Sequence, residues 1–122
     1  MSGLGAPLLV ARFSFLGLGL VVVCWLLAGC GGASSPTNAG RTAAINAARA
    51  VYADAKGSGT DLSKGPCLAE KLGGLPDWVV DVAHDPRRKF DDNPANQCAR
   101  YVSGAAHHFV ELDPNGKLIR AQ

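Results

Sequence analysis

Five side chains of this sequence could do chemistry together: His84, Asp85, Arg87, His107 and His108. Imidazole and carboxylate groups are common ligands of zinc in proteins. A histidine beside an acid and a guanidinium can also move a proton or hold an anionic group. The sequence therefore allows a metal-dependent or hydrolytic site, provided that the two histidine segments meet in the fold.

The same residues also have ordinary structural interpretations. Asp85-Pro86 is typical of a turn, and the basic triplet 87–89 is typical of a solvated loop. His107 and His108 would point to opposite faces of a strand. The histidine spacing matches no zinc signature, and no serine lies in a G-x-S-x-G motif. We therefore favour a binding or structural role over enzymatic activity, and we expect no cofactor.

Alternating apolar residues indicate the strands that would carry these histidines. The best strand covers residues 78–84, and two more cover 106–112 and 117–120. Between the last two, Asp113-Pro114-Asn115-Gly116 suits a type I turn and predicts a hairpin. In the first strand, one face would carry Trp78, Val80, Val82 and His84, and the other Val79, Asp81 and Ala83.

Helical spacing and end signals predict helices over residues 42–56, 66–72 and 94–103. Thr42 is a plausible N-cap of the first helix. The third would have Asn93 as its N-cap, Pro94 in its first position and Gly104 just past its end. Together with the strands, this order predicts an α+β fold: a small three-stranded antiparallel sheet packed against two to three helices, which would lie on one face of it.

The beginning of the chain has a different character. Residues 13–27 form an uncharged apolar run, which is shorter than the roughly 20 residues of a membrane-spanning helix. The run ends in Leu27-Ala28-Gly29-Cys30, and small residues after such a run are typical of a cleavable secretory signal. These four residues resemble the lipobox of bacterial lipoproteins. The resemblance implies cleavage before Cys30 and acylation of its thiol; an uncleaved membrane helix over about residues 8–27 is the alternative.

The resemblance implies a chain of three parts. Residues 1–29 would be a lipoprotein signal peptide, residues 30–41 the lipidated cysteine with a flexible Gly/Ser-rich linker, and residues 42–122 the small α+β domain. The protein would then be lipid-anchored at the cell membrane or the outer membrane, on its extracytoplasmic side. Its partners would be the membrane and, beyond it, another envelope protein or a wall polymer.

The charge balance argues against a nucleic-acid partner. The whole chain has a net charge of +2, and removal of the leader takes away Arg12 and no other charged side chain. A nucleic-acid-binding protein would show a strong basic bias or stripe. We therefore expect no nucleic acid among the partners.

The cysteines follow from the same resemblance. Cys24 would leave with the signal peptide and Cys30 would be acylated, so Cys67 and Cys98 would remain. An even pair in an exported domain indicates a disulfide; a redox-active pair or two metal ligands are the alternatives. Closure of a loop of about 31 residues would stabilise the fold by roughly 3.5–4 kcal/mol in the chain-entropy model.

Overall fold

Residues 34–122 are described by a computed structural model of the chain. The predicted signal peptide, the predicted lipobox and Cys30 lie outside the described residues. Within the described part, no helix combines the length and the apolar character needed to cross a bilayer. The α-helices and strands in chain order are helix α1 (Asn38–Gly57), strands β1 (Cys67–Ala69) and β2 (Trp78–Val82), the one-turn helix α2 (Ala99–Val102), and strands β3 (His108–Leu112) and β4 (Leu118–Ala121). Two short 3-10 helices, Leu62–Lys64 and Lys89–Asp92, lie in the connections.

The four strands form one mixed sheet in the order β1-β2-β3-β4. β1 with β2 and β3 with β4 are antiparallel, whereas β2 and β3 are parallel. The predicted α+β class is confirmed, but the predicted three-stranded antiparallel sheet differs from this arrangement. The reason is the connection of residues 83–107, which is long enough for the crossover that a parallel pair requires.

Helix α1 covers one face of the sheet. It begins at Asn38, four residues before the predicted start, because the side chain of Thr37 accepts a hydrogen bond from the Gly40 N–H and caps the helix. Its buried face packs on the even-numbered residues of the two central strands. The residues of this core include Ala44, Ala48, Tyr52, Val80, Val82, Val110 and Leu112.

The opposite face of the sheet carries a smaller apolar cluster. Val79 and Phe109 of the central strands pack there with Cys98 and Ala106. Cys98 forms a disulfide with Cys67, which confirms the predicted pairing. Because Cys98 lies just before α2, the disulfide ties the crossover to the first strand. The two helices therefore lie on opposite faces of the sheet, not on one.

The predicted helix over residues 66–72 is a strand for part of its length. Residues 67–69 pair with β2, with a bulge between Cys67 and Ala69. The helix propensity of this segment is only a weak preference. Pairing with a buried strand satisfies its backbone groups and outweighs that preference.

The predicted helix over residues 94–103 is reduced to a single turn. Asn93 is not the N-cap of α2; its side chain accepts from the Ala95 N–H in a local turn. The carboxylate of Glu70 accepts from the N–H groups of Ala99 and Arg100, each at 2.8 Å. The helix therefore begins where a side chain distant in sequence caps it.

The terminal hairpin is as predicted, and helix α1 holds its turn in place. The Gly116 N–H donates to the Asp113 carbonyl at 2.9 Å. The Tyr52 hydroxyl donates to the Pro114 carbonyl at 3.0 Å. Gly116 has a φ of +86°, and a Cβ there would lie 2.6 Å from the Tyr52 ring.

Gly116→Ala should therefore destabilise the domain by about 2 kcal/mol or more, because it adds a clash with a buried ring to the cost of a left-handed backbone. Gly104→Ala is the matched control, since Gly104 has a φ of +76° and open space around it. The control should lose only about 1 kcal/mol, the cost of the left-handed backbone alone. Urea unfolding of both variants measures the difference, and equal losses would contradict the contact with Tyr52.

Candidate ligand-binding site

A cavity of about 440 Å³ opens on the face of the sheet opposite α1. Val79 and Phe109 contribute from the central strands, and the exposed Tyr101 and Val102 contribute from α2. Ligand pockets typically have volumes of roughly 300–1,000 Å³ and combine apolar walls with a few polar groups. The polar groups here come from three adjacent strands, from the connection between β2 and β3, and from the residue that follows β4; they are Asp81, Arg87, Gln97, Glu111, Arg120 and Gln122.

Two carboxyl side chains lie next to each other in this cavity. Asp81 of β2 is the register partner of Glu111 of β3, so both point to the same face of the sheet. Glu111 is 3% exposed. A buried carboxylate is costly unless it is paired, and Glu111 is paired twice. Arg87 Nη1 donates to its Oε1, and Arg120 Nε donates to its Oε2 at 2.8 Å.

Asp81 is in a different situation. Its Oδ1 is shielded from solvent, and no hydrogen-bond donor of the described residues reaches it. Burial, together with the negative charge of Glu111, raises the pKa of Asp81 to about 7. The positive charges of Arg87 and Arg120 oppose this shift without cancelling it. Asp81 therefore gains or loses its proton near neutral pH, where an unperturbed aspartate is ionised.

The arginines are themselves fixed in position. Arg87 Nε donates to Asp92 at 2.9 Å. Hydrogen bonds to Asp92 and Glu111 raise the pKa of Arg87 above its ordinary value despite partial burial. The guanidinium of Arg120 lies 4.8 Å from the centre of the Phe109 ring, within the range of a cation–π contact. Tyr101 meets the same ring edge-on at 5.0 Å.

The two neighbouring acids thus have different surroundings. Glu111 accepts hydrogen bonds from two arginines, whereas Asp81 accepts none from them and its pKa is raised to about 7. A strongly perturbed acid beside charged partners in a cavity is characteristic of functional sites. Asp81 can donate a hydrogen bond when protonated and accept one, or bind a cation, when ionised.

Three of the side chains picked out by the sequence line a second cavity, of about 430 Å³, beside the hairpin turn. They are His84, Asp85 and Arg87. His84 is already engaged, because its Nδ1 lies 2.8 Å from Asp91 Oδ1. Arg87 is shared with the first cavity. This group therefore contains one histidine, hydrogen-bonded to Asp91, and no second imidazole.

Asp91 explains why His84 is fixed. Asp91 is 3% exposed and accepts from the N–H groups of His84 and Arg88 as well as from the His84 ring. Burial alone would raise its pKa, but these hydrogen bonds hold the pKa of Asp91 below its ordinary value. With three hydrogen bonds accepted from His84 and Arg88, the Asp91 carboxylate holds the loop in place, which is a structural role.

His107 and His108 lie at the other end of the sheet. His108 pairs in register with Trp78, at the start of β2, whereas His84 follows the end of that strand. Six residues of strand separate the two ends by roughly 20 Å. Asp77 binds both histidines instead, with 2.8 Å to His107 Nδ1 and 3.6 Å to His108 Nε2. The structure does not bring the two histidine segments together.

The described residues also offer no histidine-based metal site. Within residues 34–122, the group of three potential ligands that lies within 4.8 Å consists of Cys67, Glu70 and Cys98. Both sulfur atoms of this group form the disulfide. Because a cysteine binds a metal ion as a free thiolate, this disulfide-bonded group is not a metal centre.

Sequence reasoning found Arg87 but missed Asp81, Glu111 and Arg120 as members of one site. The available signal was an acid inside an apolar strand, at Asp81 among valines and at Glu111 between Val110 and Leu112. Charged residues are rarely buried unless they are paired or functional. The strand pairing that puts them side by side could not be inferred from that signal.

No family model, curated protein or solved structure matches the chain.

Asp81→Asn should change how the stability of the domain depends on pH. The folded pKa of Asp81 is about 7, against an ordinary value of 3.8, so the folded state holds this proton more tightly than the unfolded state. Its contribution to stability is complete below about pH 4 and is lost as pH rises through 7. Asp81→Asn lacks this loss. Between pH 4 and pH 8, the free energy of unfolding of the variant should therefore rise by roughly 2–4 kcal/mol relative to that of the wild type, as measured by urea unfolding.

Asp77→Asn provides a control of opposite sign. Burial acts to raise the pKa of Asp77, but the hydrogen bonds and charge of His107 lower it overall. The stabilising contribution of Asp77 is therefore present at neutral pH and lost as the pH falls. Asp77→Asn should be less stable than the wild type at pH 8, and this difference should shrink toward pH 3. If wild type and Asp81→Asn had the same pH dependence, the burial and unpaired state of Asp81 would be disproved.

Proposed function

We propose that this protein is a lipid-anchored binding protein of the bacterial cell envelope, whose domain takes a small ligand into the cavity beside β2 and β3. The observation that carries the proposal is the cavity of about 440 Å³ with Asp81 and Glu111 in its wall. Apolar walls with a few buried polar groups are the usual composition of a ligand site.

The rim of the cavity supports a binding role. Tyr101 and Val102 are 41% and 64% exposed, and both line the opening. Exposed apolar side chains beside a concave site are surface that a ligand can cover. Phe109, 6% exposed, continues this apolar surface inward.

The anchoring part of the proposal rests on Leu27-Ala28-Gly29-Cys30 and on the disulfide. Disulfides are stable in exported proteins and rare in the cytosol, so the Cys67–Cys98 bond agrees with export. A diacylated cysteine provides the two chains that stable membrane anchoring needs. The linker after Cys30 would then let the domain reach a ligand near the membrane surface.

Cys30→Ser should abolish lipidation. In a bacterium that processes lipoproteins, the wild-type chain should incorporate labelled palmitate and fractionate with membranes. The variant should lose the label, because serine has no thiol to acylate. Cys24→Ser is the matched control and should keep the label, since Cys24 lies upstream of the cleavage site. Equal labelling of wild type and Cys30→Ser would refute the anchor.

A second experiment tests the cavity. Fragments of mixed chemistry that bind the full chain should shift the amide resonances of Val79, Phe109 and Glu111. Gln97→Trp fills part of the cavity, because Gln97 lines it, and should weaken those fragments at least tenfold. Asn46→Trp, on the exposed side of α1, is the control and should leave them unchanged. If the fragments bound Gln97→Trp as tightly as the wild type, this cavity would be ruled out as the binding site.

A further inference from the structure

The unpaired acid in the cavity indicates the chemistry of the ligand. Each oxygen of Glu111 already accepts from an arginine, and Arg87 also holds Asp92. The remaining N–H groups of the arginines are on partly exposed side chains, 37% for Arg87 and 49% for Arg120, so water can reach them. Asp81 lines the cavity and is only partly buried, so a ligand can reach its carboxyl group, and Oδ1 of this group has no donor among the described residues. The missing partner is therefore a donor.

The charge balance favours a cationic donor. Ionised Asp81, Glu111 and Asp92 face two guanidiniums, those of Arg87 and Arg120, which leaves one negative charge uncompensated. A monocation beside Asp81 would neutralise the cluster, whereas an anion would add to the excess. An ammonium group also supplies up to three donors from a single atom.

We propose that the cavity binds a small ligand bearing a primary ammonium group, which the carboxylate of Asp81 holds while Phe109, Val79 and Tyr101 cover the apolar part. This inference rests on the proposed function, since it names the ligand class of the same cavity. The volume of about 440 Å³ limits the bound part to a small molecule or to one side chain of a larger one.

Binding of an ammonium group should release a proton. Where Asp81 is protonated, the O–H bond breaks, the proton goes to solvent, and the carboxylate left behind pairs with the ammonium. The charged groups that face Asp81 are Glu111 of β3, Arg120 of β4 and Arg87 of the loop; on β1 its register partner is Cys67, which does not titrate in the disulfide. With a pKa of about 7 for Asp81, affinity should rise about tenfold from pH 6 to pH 8.

Three probes with the same four-carbon body separate the ligand classes: butylamine, butyrate and butanol. Each is titrated into the full chain at pH 6 and pH 8, and the amide resonances of Val79, Asp81 and Phe109 are followed by NMR. Butylamine, protonated throughout this range, should bind most tightly and gain about tenfold at pH 8. Butanol should bind weakly and equally at both pH values, and butyrate should be the weakest.

Two variants locate the effect. Asp81→Asn should reduce butylamine binding at pH 8 to the level of butanol and remove its pH dependence. Asp85→Asn removes an exposed acid outside this cavity and should leave butylamine binding unchanged.

The outcomes distinguish this inference from the proposed function. If butyrate or butanol were preferred, or if Asp81→Asn bound butylamine as well as wild type, the ammonium proposal would be overturned and the cavity would remain a binding site. If none of the three probes shifted the cavity resonances at either pH, the ligand class and the cavity function would both fail.

Discussion

Because β2 and β3 run parallel, the chain has to return along the sheet between residues 83 and 107. This single pairing decides where every candidate group lies. It puts Asp81 beside Glu111, and it puts His84 and His108 at opposite ends of the strands. Antiparallel pairing of the same two segments would have reversed the direction of β3 and changed both relationships. The arrangement of the candidate site is therefore a consequence of strand direction.

The returning segment contains only one turn of α-helix, so other interactions have to hold it against the sheet. The Cys67–Cys98 disulfide attaches it to β1, and Glu70 caps the start of α2. Both partners come from the segment before β2, about 30 residues earlier in the chain. They fix Tyr101 and Val102 beside the central strands. The wall of the cavity is thus built by contacts that are distant in sequence.

Local patterns predicted what local forces determine. The alternation around Trp78 predicted β2, and the turn ending in Gly116 predicted the hairpin. The helix ends at Thr42 and Asn93 were wrong, because Thr37 and the distant Glu70 supply the caps. Arg87 was recognised as a candidate, whereas Asp81 and Glu111 acquire their chemistry only from each other. A single sequence contains no signal for that neighbour relationship.

The position of Asp81 is difficult to explain by stability alone. Its neighbours in β2 are valines, and a valine there would avoid both the desolvation of a carboxyl group and the repulsion from Glu111. Replacement of poorly paired buried charges by apolar side chains is often stabilising. The double ion pairing of Glu111 shows that this cavity can compensate a buried acid with arginines. Asp81 has no such partner, so the desolvation of its carboxyl group and its repulsion from Glu111 are not fully compensated. A ligand bound in the cavity would offset this cost.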